Sequence, residues 1–144
     1  MNKPELLLVY DKKCPACNTY CKNIRIRETI GSLKIIDARK NSRVMDKITK
    51  SGLDIDQGMV LIIGEKLYYG SDAMHALALI SSRSGIFNRI NYWIFKSKSV
   101  SSLLYPVLRI FRNLLLKILG KTKINNLCKH KNNKFWRRTI HILR

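Results

Sequence analysis

Acidic residues are scarce in this chain and absent from its second half. Nine Asp and Glu residues oppose 28 Lys and Arg residues, which gives a net charge of +19 over 144 residues. Every acid lies at or before Asp72, and the 15 charged residues that follow are all basic. Such polarity favours an anionic partner, either a nucleic acid or a membrane surface. A composition rich in Lys, Asn and Ile is also typical of AT-rich coding bias, so both explanations stay open.

Long uncharged runs and nucleotide-binding motifs are missing too. No uncharged stretch is long enough to span a bilayer. The opening MNKPELLLVYDKK has too short an apolar run for a secretory leader and no small-residue cleavage site. No P-loop, GxGxxG motif or Ser/His/Asp set is visible. We therefore expect a soluble, cytoplasmic protein, with peripheral membrane association as an alternative. In a reducing compartment, paired cysteines are more often catalytic or metal-binding than structural.

Apolar patterning predicts alternating strands and helices in the first 85 residues. The predicted strands cover residues 5–10, 33–37, 59–63 and 67–69. The predicted helices cover residues 15–27, 42–51 and 72–82, with Gly31, Gly52, Ser42 and Ser71 as stop or cap residues. The order is β-α-β-α-β-β-α. It implies a parallel first pair of strands followed by an antiparallel hairpin.

Beyond residue 85 the sequence predicts two more helices, at residues 86–95 and 100–120. We divide the chain into a core (1–85), a helical extension packed on it (86–120) and a basic tail (121–144). Apolar side chains recur at helical spacing in the second of these helices: Leu104, Leu108, Phe111, Leu115 and Ile118. We expect this stripe to pack on the sheet. The alternative is an amphipathic helix that lies on an anionic membrane.

The stretch VYDKKCPACNTYCK holds three of the four cysteines. Pro15 suits the first turn of a helix, which places Cys14 at the helix N-terminus, where unpaired N–H groups stabilise a thiolate. Lys13 adds positive charge nearby, whereas Asp11 opposes it. Cys14 is expected to be the more exposed cysteine and to attack a substrate disulfide, after which Cys17 resolves the mixed disulfide.

Two other functions have to be weighed against disulfide exchange. Zinc could be held by Cys14, Cys17, Cys128 and His130, although the C-x-H spacing of the second pair is tight for a zinc finger. Alternatively, the basic half could bind nucleic acid, since the FWRR cluster near the C-terminus combines stacking and charge. Cys21 is interpreted as a small buried apolar residue rather than a third reactive thiol.

The motifs resemble those of the DCC family of thiol-disulfide oxidoreductases. YDKKCPAC is similar to the family's opening D-x-x-C-x-x-C signature, through Asp11, Cys14 and Cys17. LYYGSDAMHALA is similar to a second motif, through Gly70 and Asp72, and LYPVLRIFRN is similar to a closing segment. The resemblance covers about residues 5–119. It implies a thioredoxin-like fold and disulfide exchange.

These patterns together predict a thioredoxin-like α/β core with a C-terminal helical extension and the activity of a protein-disulfide reductase. We expect no cofactor beyond the cysteine pair and no metal. The partners would be thiol or disulfide substrates, with weak association to anionic surfaces and no specific nucleic acid.

Thioredoxins carry a cis-proline just before the third strand. Here that place falls near Gly58, without proline, so we expect a trans loop there.

Overall fold

The computed structural model describes residues 4–40 and 42–127. Its four strands are β1 (Leu6–Tyr10), β2 (Leu33–Asp37), β3 (Val60–Ile63) and β4 (Lys66–Tyr69). Its five helices are α1 (Pro15–Asn23), α2 (Arg43–Lys50), α3 (Ser71–Ile80), α4 (Ile86–Phe95) and α5 (Lys98–Ile118). The strands and helices follow the predicted order, and this mixed α/β architecture is consistent with the predicted thioredoxin-like fold.

The sheet has the strand order β2-β1-β3-β4. Strands β1 and β2 are parallel, with Val9 opposite Ile36, whereas β3 runs antiparallel to both β1 and β4. The β3–β4 hairpin turns at Gly64, whose φ of 59° is in the left-handed region that glycine adopts without strain. The predicted parallel pair and hairpin are both confirmed. Because β1 is central, its C-terminal end delivers the cysteine loop to the middle of the sheet edge.

Alternation along the strands separates two apolar layers. One face of the sheet carries Val9 and Val60 and packs on Met45 and Ile48 of α2. The opposite face carries residues such as Leu8 and packs on α1 and α3 in a second cluster, formed by Leu8, Tyr10, Cys21, Leu61, Ala73 and Leu77. Helices α1, α2 and α3 therefore supply the cover that both faces of the sheet need.

Helix α1 is shorter than predicted. It ends at Asn23, and Ile24 is already extended, with ψ at 127°. Ile26 then forms an antiparallel bridge with Ser81, and the backbone N–H of Arg25 donates to Asn88 Oδ1 (3.2 Å). The expected continuation to residue 27 was wrong because these long-range partners replace the helical hydrogen bonds.

Two predicted helix caps have different outcomes. Ser42 caps α2 as expected, since its side chain accepts from Met45 N at 3.2 Å. Ser71, which was expected to cap α3, is instead its first helical residue. Gly70 occupies the cap position, and its φ is 58°. The local sequence identified the start of α3 to within one residue but assigned the cap to the wrong one.

Helix α5 does not cover the sheet in the way its apolar stripe suggested. Its principal neighbours are α3 and α4, around a cluster that includes Met74, Ala78 and Phe95. Within the predicted stripe, Phe111 is 59% exposed and Ile118 is 74% exposed. The expectation that the whole stripe would be buried on the sheet was therefore wrong, although Leu104 packs on this cluster. Helices α1, α2 and α3 already cover the sheet, and the face of α5 that packs on the core differs in part from the predicted apolar face.

The segment that follows α5 lies against the core as far as residue 127. Ile124 N donates to Asp56 Oδ1 (3.1 Å), and the buried Asn126 side chain accepts from Ile55 N (3.3 Å). The rest of the predicted basic tail lies outside the described residues, and the division of the chain at residues 85 and 120 stays a prediction. In the part of the chain that the structure describes, no helix combines the length and the hydropathy needed to cross a membrane.

Candidate active site

Cys14 occupies the N-cap position of α1, directly before Pro15 at the start of the helix. Its Sγ accepts a hydrogen bond from the backbone N–H of Cys17, at 3.3 Å. That N–H is one of the donors that the first helical turn leaves without a backbone partner. The sequence prediction that Cys14 stands at the N-terminus of the first helix is therefore confirmed.

The two cysteines of the C-x-x-C pair differ sharply in acidity. A hydrogen bond from the Cys17 thiol is the main cause that lowers the pKa of Cys14 to about 6 from an ordinary 9.0. The Cys17 N–H and the positive charge of Arg112 lower it further, whereas burial and Asp11 oppose them. The same hydrogen bond and burial raise the pKa of Cys17 far above its ordinary value. The first proton therefore leaves Cys14 more readily than Cys17, and Cys14 is the thiolate-forming member of the pair.

Exposure of the cysteines is the reverse of what was expected. Cys14 is 0% exposed, whereas Cys17 is half-buried and lines a cavity of about 230 Å³. The cavity is mainly apolar, with Met59, Met74 and Phe111 among its walls. Beside the buried Cys14 lies Asp11, which contacts Arg112 of α5. Cys21 is buried, as expected, and burial is the first cause that raises its pKa to about 12.

Asp11 is the centre of a buried ionic network beside Cys14. Arg39 makes a two-point contact with its carboxylate, at 2.7 Å from Nε and 2.9 Å from Nη2. Arg112 Nη2 reaches the carboxylate at 3.3 Å, and the backbone N–H of Lys13 donates to it at 3.0 Å. Burial raises the pKa of Asp11, but the hydrogen bonds of Arg39 and Lys13 together with the charges of Arg39 and Arg112 outweigh burial, so the net shift is downward. The carboxylate is ionised and fixes the loop that carries Cys14.

Arg112 connects α5 to this loop. Its side chain is only 11% exposed, and it donates to the backbone carbonyl of Asp56 as well as to Asp11. Sequence reasoning missed both Arg112 and Arg39, since their contacts with Asp11 span 101 and 28 residues. One signal was available for Arg112: it is a charged residue on the side of α5 opposite to the most apolar positions.

Tyr105 anchors the first half of α5 beside the same cavity. Its hydroxyl donates to the carbonyl of Gln57 (3.3 Å), and burial is the main cause that raises its pKa to about 12. Its ring lies so close to two glycines that a Cβ on Gly70 would come within 3.2 Å of it, and a Cβ on Gly58 would overlap its hydroxyl. Among the described residues there is no cis peptide bond, as expected for the loop at Gly58.

Three further residues singled out in the sequence, Lys13, Asp72 and Gly70, differ in how they relate to the cysteine pair. The Lys13 side chain is exposed, and the cation that lowers the pKa of Cys14 is Arg112. Asp72 stands in the first turn of α3, as predicted, but it is exposed and pairs with Lys98 Nζ at 3.6 Å. Gly70 contributes through its close approach to Tyr105.

Only some of the residues considered as metal ligands lie in the described part of the chain. Within that part no group of three or more His, Cys, Asp and Glu side chains is placed to hold a metal ion. Of the four ligands considered for zinc, Cys128 and His130 lie outside the described residues. His75 is a satisfied histidine, because its Nδ1 is 2.8 Å from the carbonyl oxygen of Phe95.

The sequence that forms this site matches a known protein family. The model of the DCC1-like thiol-disulfide oxidoreductase family matches residues 8–120, an interval that runs from β1 to the end of α5. No curated protein and no solved structure shows a match. The matched interval is well over half of the chain and includes the cysteine loop, Arg39 and Arg112. The chain therefore belongs to the DCC1-like thiol-disulfide oxidoreductase family.

Proposed function

We propose that Cys14 and Cys17 are the redox-active pair and that the protein reduces disulfide bonds in protein substrates. The observation that carries this proposal is the hydrogen bond of 3.3 Å from Cys17 N to Cys14 Sγ at the start of α1. The donor at the helix start and the nearby Arg112 both favour a thiolate on Cys14. Membership of the family supports redox chemistry of this kind.

The proposed reaction proceeds in two exchanges. The Cys14 thiolate attacks one sulfur of the substrate disulfide, which forms a bond between Cys14 and that sulfur and releases the other sulfur as a thiolate that takes up a proton. Cys17 then loses its proton and attacks Cys14 Sγ, which forms the Cys14–Cys17 disulfide and releases the second substrate thiol. Two electrons pass from the cysteine pair to the substrate, so an external thiol reductant must restore the pair.

Burial of Cys14 adds one requirement to this scheme. A disulfide can reach Cys17 through the cavity, but Cys14 is 0% exposed. We infer that the loop carrying Cys14 and the Arg112 side chain separate before the first exchange. Attack is then limited by opening as well as by the thiolate fraction, and peptides with small groups beside the disulfide should react fastest.

Thiol mapping tests the pair directly. The full chain is equilibrated in a series of glutathione redox buffers and its disulfides are identified by mass spectrometry. A Cys14–Cys17 disulfide that appears and disappears reversibly is expected. In an insulin reduction assay, Cys14→Ser should lose activity, whereas Cys17→Ser should accumulate a mixed disulfide on Cys14 because no resolving thiol remains.

Cys21→Ala is the matched control, since it removes a buried cysteine one turn further along α1. It should keep the reversible pair and most of the insulin reduction. Full activity in Cys14→Ser would refute the proposal. A mixed disulfide trapped on Cys17 in the Cys14→Ser chain would instead assign the attack to the more exposed cysteine.

A further inference from the structure

The outer side of α5 carries an apolar stripe that no described residue covers. We call it the outer stripe, and it consists of Val100, Leu103, Val107, Ile110, Phe111, Leu114 and Ile118, all of them exposed. Leu103 is 79% exposed and Ile110 is 66% exposed. The spacing of three and four residues keeps these side chains on one face over the length of the helix. Soluble proteins rarely leave such a continuous apolar surface in water without a partner for it.

Helix α4, which packs beside α5, repeats this arrangement. Ile86, Ile90 and Trp93 are exposed at spacings of four and three residues, with Trp93 73% exposed. Tryptophan is enriched where a protein meets the boundary between lipid and water, because its ring is apolar and its N–H is polar. Two neighbouring helices thus leave large apolar side chains in solvent.

The charge around these faces indicates what covers them. Residues 86–127 contain seven basic residues beside Arg112 and no acid: Arg89, Lys96, Lys98, Arg109, Lys117, Lys121 and Lys123. Lys98 pairs with Asp72 of α3, and for the remaining six no ion pair is formed within the described ranges 4–40 and 42–127. A second copy of the chain, or the chain's own basic end, would bring like charges together on this surface.

We propose that the outer stripe docks the protein onto an anionic lipid bilayer, with α5 lying along the surface. An apolar face that enters the boundary of the acyl chains, flanked by Lys and Arg that attract anionic headgroups, is the arrangement of an interfacial helix. Neither α4 nor α5 is a candidate for spanning the bilayer, so the contact is peripheral. The outer stripe meets the cavity beside Cys17 only at Phe111, and this inference stands whether or not the cysteine pair is redox-active.

Vesicle co-sedimentation of the full chain tests the proposal. The probes are vesicles of phosphatidylcholine alone and of phosphatidylcholine with an equal amount of phosphatidylglycerol, each at low and high salt. The wild type should bind the anionic vesicles at both salt concentrations and leave the neutral vesicles unbound. A Val107→Ser/Ile110→Ser chain should be released at high salt and bind about tenfold more weakly at low salt, because it loses the apolar contribution.

Ile35→Ser/Leu79→Ser is the matched control, since it also replaces two exposed apolar residues, on β2 and α3. It should bind as the wild type does. Both doubly substituted chains should keep their circular dichroism and their insulin reduction without lipid, so that a failure here is separate from a failure of the redox proposal. Binding that high salt abolishes in the wild type, or equal binding to neutral vesicles, would overturn the inference.

Labelling of a Leu114→Cys chain with a maleimide distinguishes the other occupants of the stripe. Rapid labelling of residue 114 in solution, with protection on anionic vesicles, supports the proposal. Protection without lipid would overturn it. Light scattering then separates a dimer, in which a second copy covers the stripe, from a monomer covered by another segment of its own chain.

Discussion

Helices α2 and α5 are both amphipathic, but they are oriented in opposite ways. In α2, Met45 and Ile48 are buried in the core, while Lys47 and other charged side chains face solvent. In α5, the charged Arg112 points inward to Asp11, while apolar residues such as Ile110 face solvent. Both helices show a clear amphipathic pattern in the sequence. The pattern alone therefore does not say which face a helix buries.

The difference has an energetic meaning. Burial of apolar area holds α2 on the sheet, whereas α5 combines apolar packing on α3 and α4 with specific polar contacts through Tyr105 and Arg112. The apolar residues on the outside of α5 contribute little to folding. They are available for a contact with another body.

The largest effect is expected from breaking the ionic contact that holds α5 inward. Asp11→Asn keeps the acceptor for Lys13 N–H but leaves Arg39 and Arg112 without their carboxylate. We expect the free energy of unfolding in urea to fall by about 3 kcal/mol, because removal of one partner leaves buried charge uncompensated.

The pH dependence of stability checks the cause of that loss. The pKa of Asp11 is lowered below 3.8 in the folded chain, so its contribution is present above that pH and is lost as the pH falls through the folded pKa. The wild type and Asp11→Asn should therefore converge in stability in acid. A constant difference down to low pH would contradict an ionic origin.

Arg112→Gln should have a smaller effect on stability, about 1 to 2 kcal/mol, together with an effect on Cys14. Because Arg112 lowers the pKa of Cys14, the substitution should raise it, and the midpoint of the pH profile of Cys14 alkylation by iodoacetamide should move to higher pH. The control is Arg109→Gln, which changes a neighbouring Arg of the same cavity. That control should leave the pH profile of alkylation in place.

The same substitution should change stability against pH in the reduced protein. A pKa lowered from 9.0 to about 6 gives Cys14 a contribution that grows as the pH rises from about 6 to 9 and is lost as it falls through about 6. Arg112→Gln should flatten this rise. An unchanged slope would show that Arg112 does not act on the thiolate.

Asp72→Ala is expected to cost about 0.5 kcal/mol. Asp72 is exposed, and its contributions are the dipole of α3 and a surface pair with Lys98. Thermal unfolding should show the loss at low salt and little of it at high salt. If the chain kept its stability but lost insulin reduction, Asp72 would belong to the active site after all.

The smallest effect is expected on the outer side of α5. Leu103→Ser replaces an exposed residue and should change the unfolding free energy by no more than about 0.5 kcal/mol. Leu116→Ala, on the buried side of the same helix, should cost about 2 kcal/mol or more. Equal losses for the two variants in urea would show that the outer stripe is buried in the folded protein.

Local signals in the sequence were sufficient to predict the order of the elements and the position of Cys14. Periodicity, the cap at Ser42 and Pro15 in the first turn act within a few residues of one another, so they are visible without the fold. The end of α1 was wrong because Ile26 leaves the helix for a partner 55 residues away. That contact has no local trace.

The exposure of the cysteines could not be predicted for a similar reason. Spacing places Cys14 at a helix start, but its burial is a property of the complete fold, as are the contacts of Asp11 with Arg39 and Arg112. Those residues are brought together only by the complete fold. The apolar pattern of α5 was identified correctly, but its direction was not, because α1, α2 and α3 already cover the sheet.

The distance along the chain between Asp11 and Arg112 has a consequence for biosynthesis. The two residues are 101 positions apart. Asp11 and the nearby Cys14 therefore leave the ribosome long before Arg112. At roughly 5 to 20 residues per second the interval is about 5 to 20 seconds. During this time the nascent chain carries the C-x-x-C pair without Arg112 or α5. The lowering of the Cys14 pKa by Arg112 therefore begins only after α5 has been synthesised.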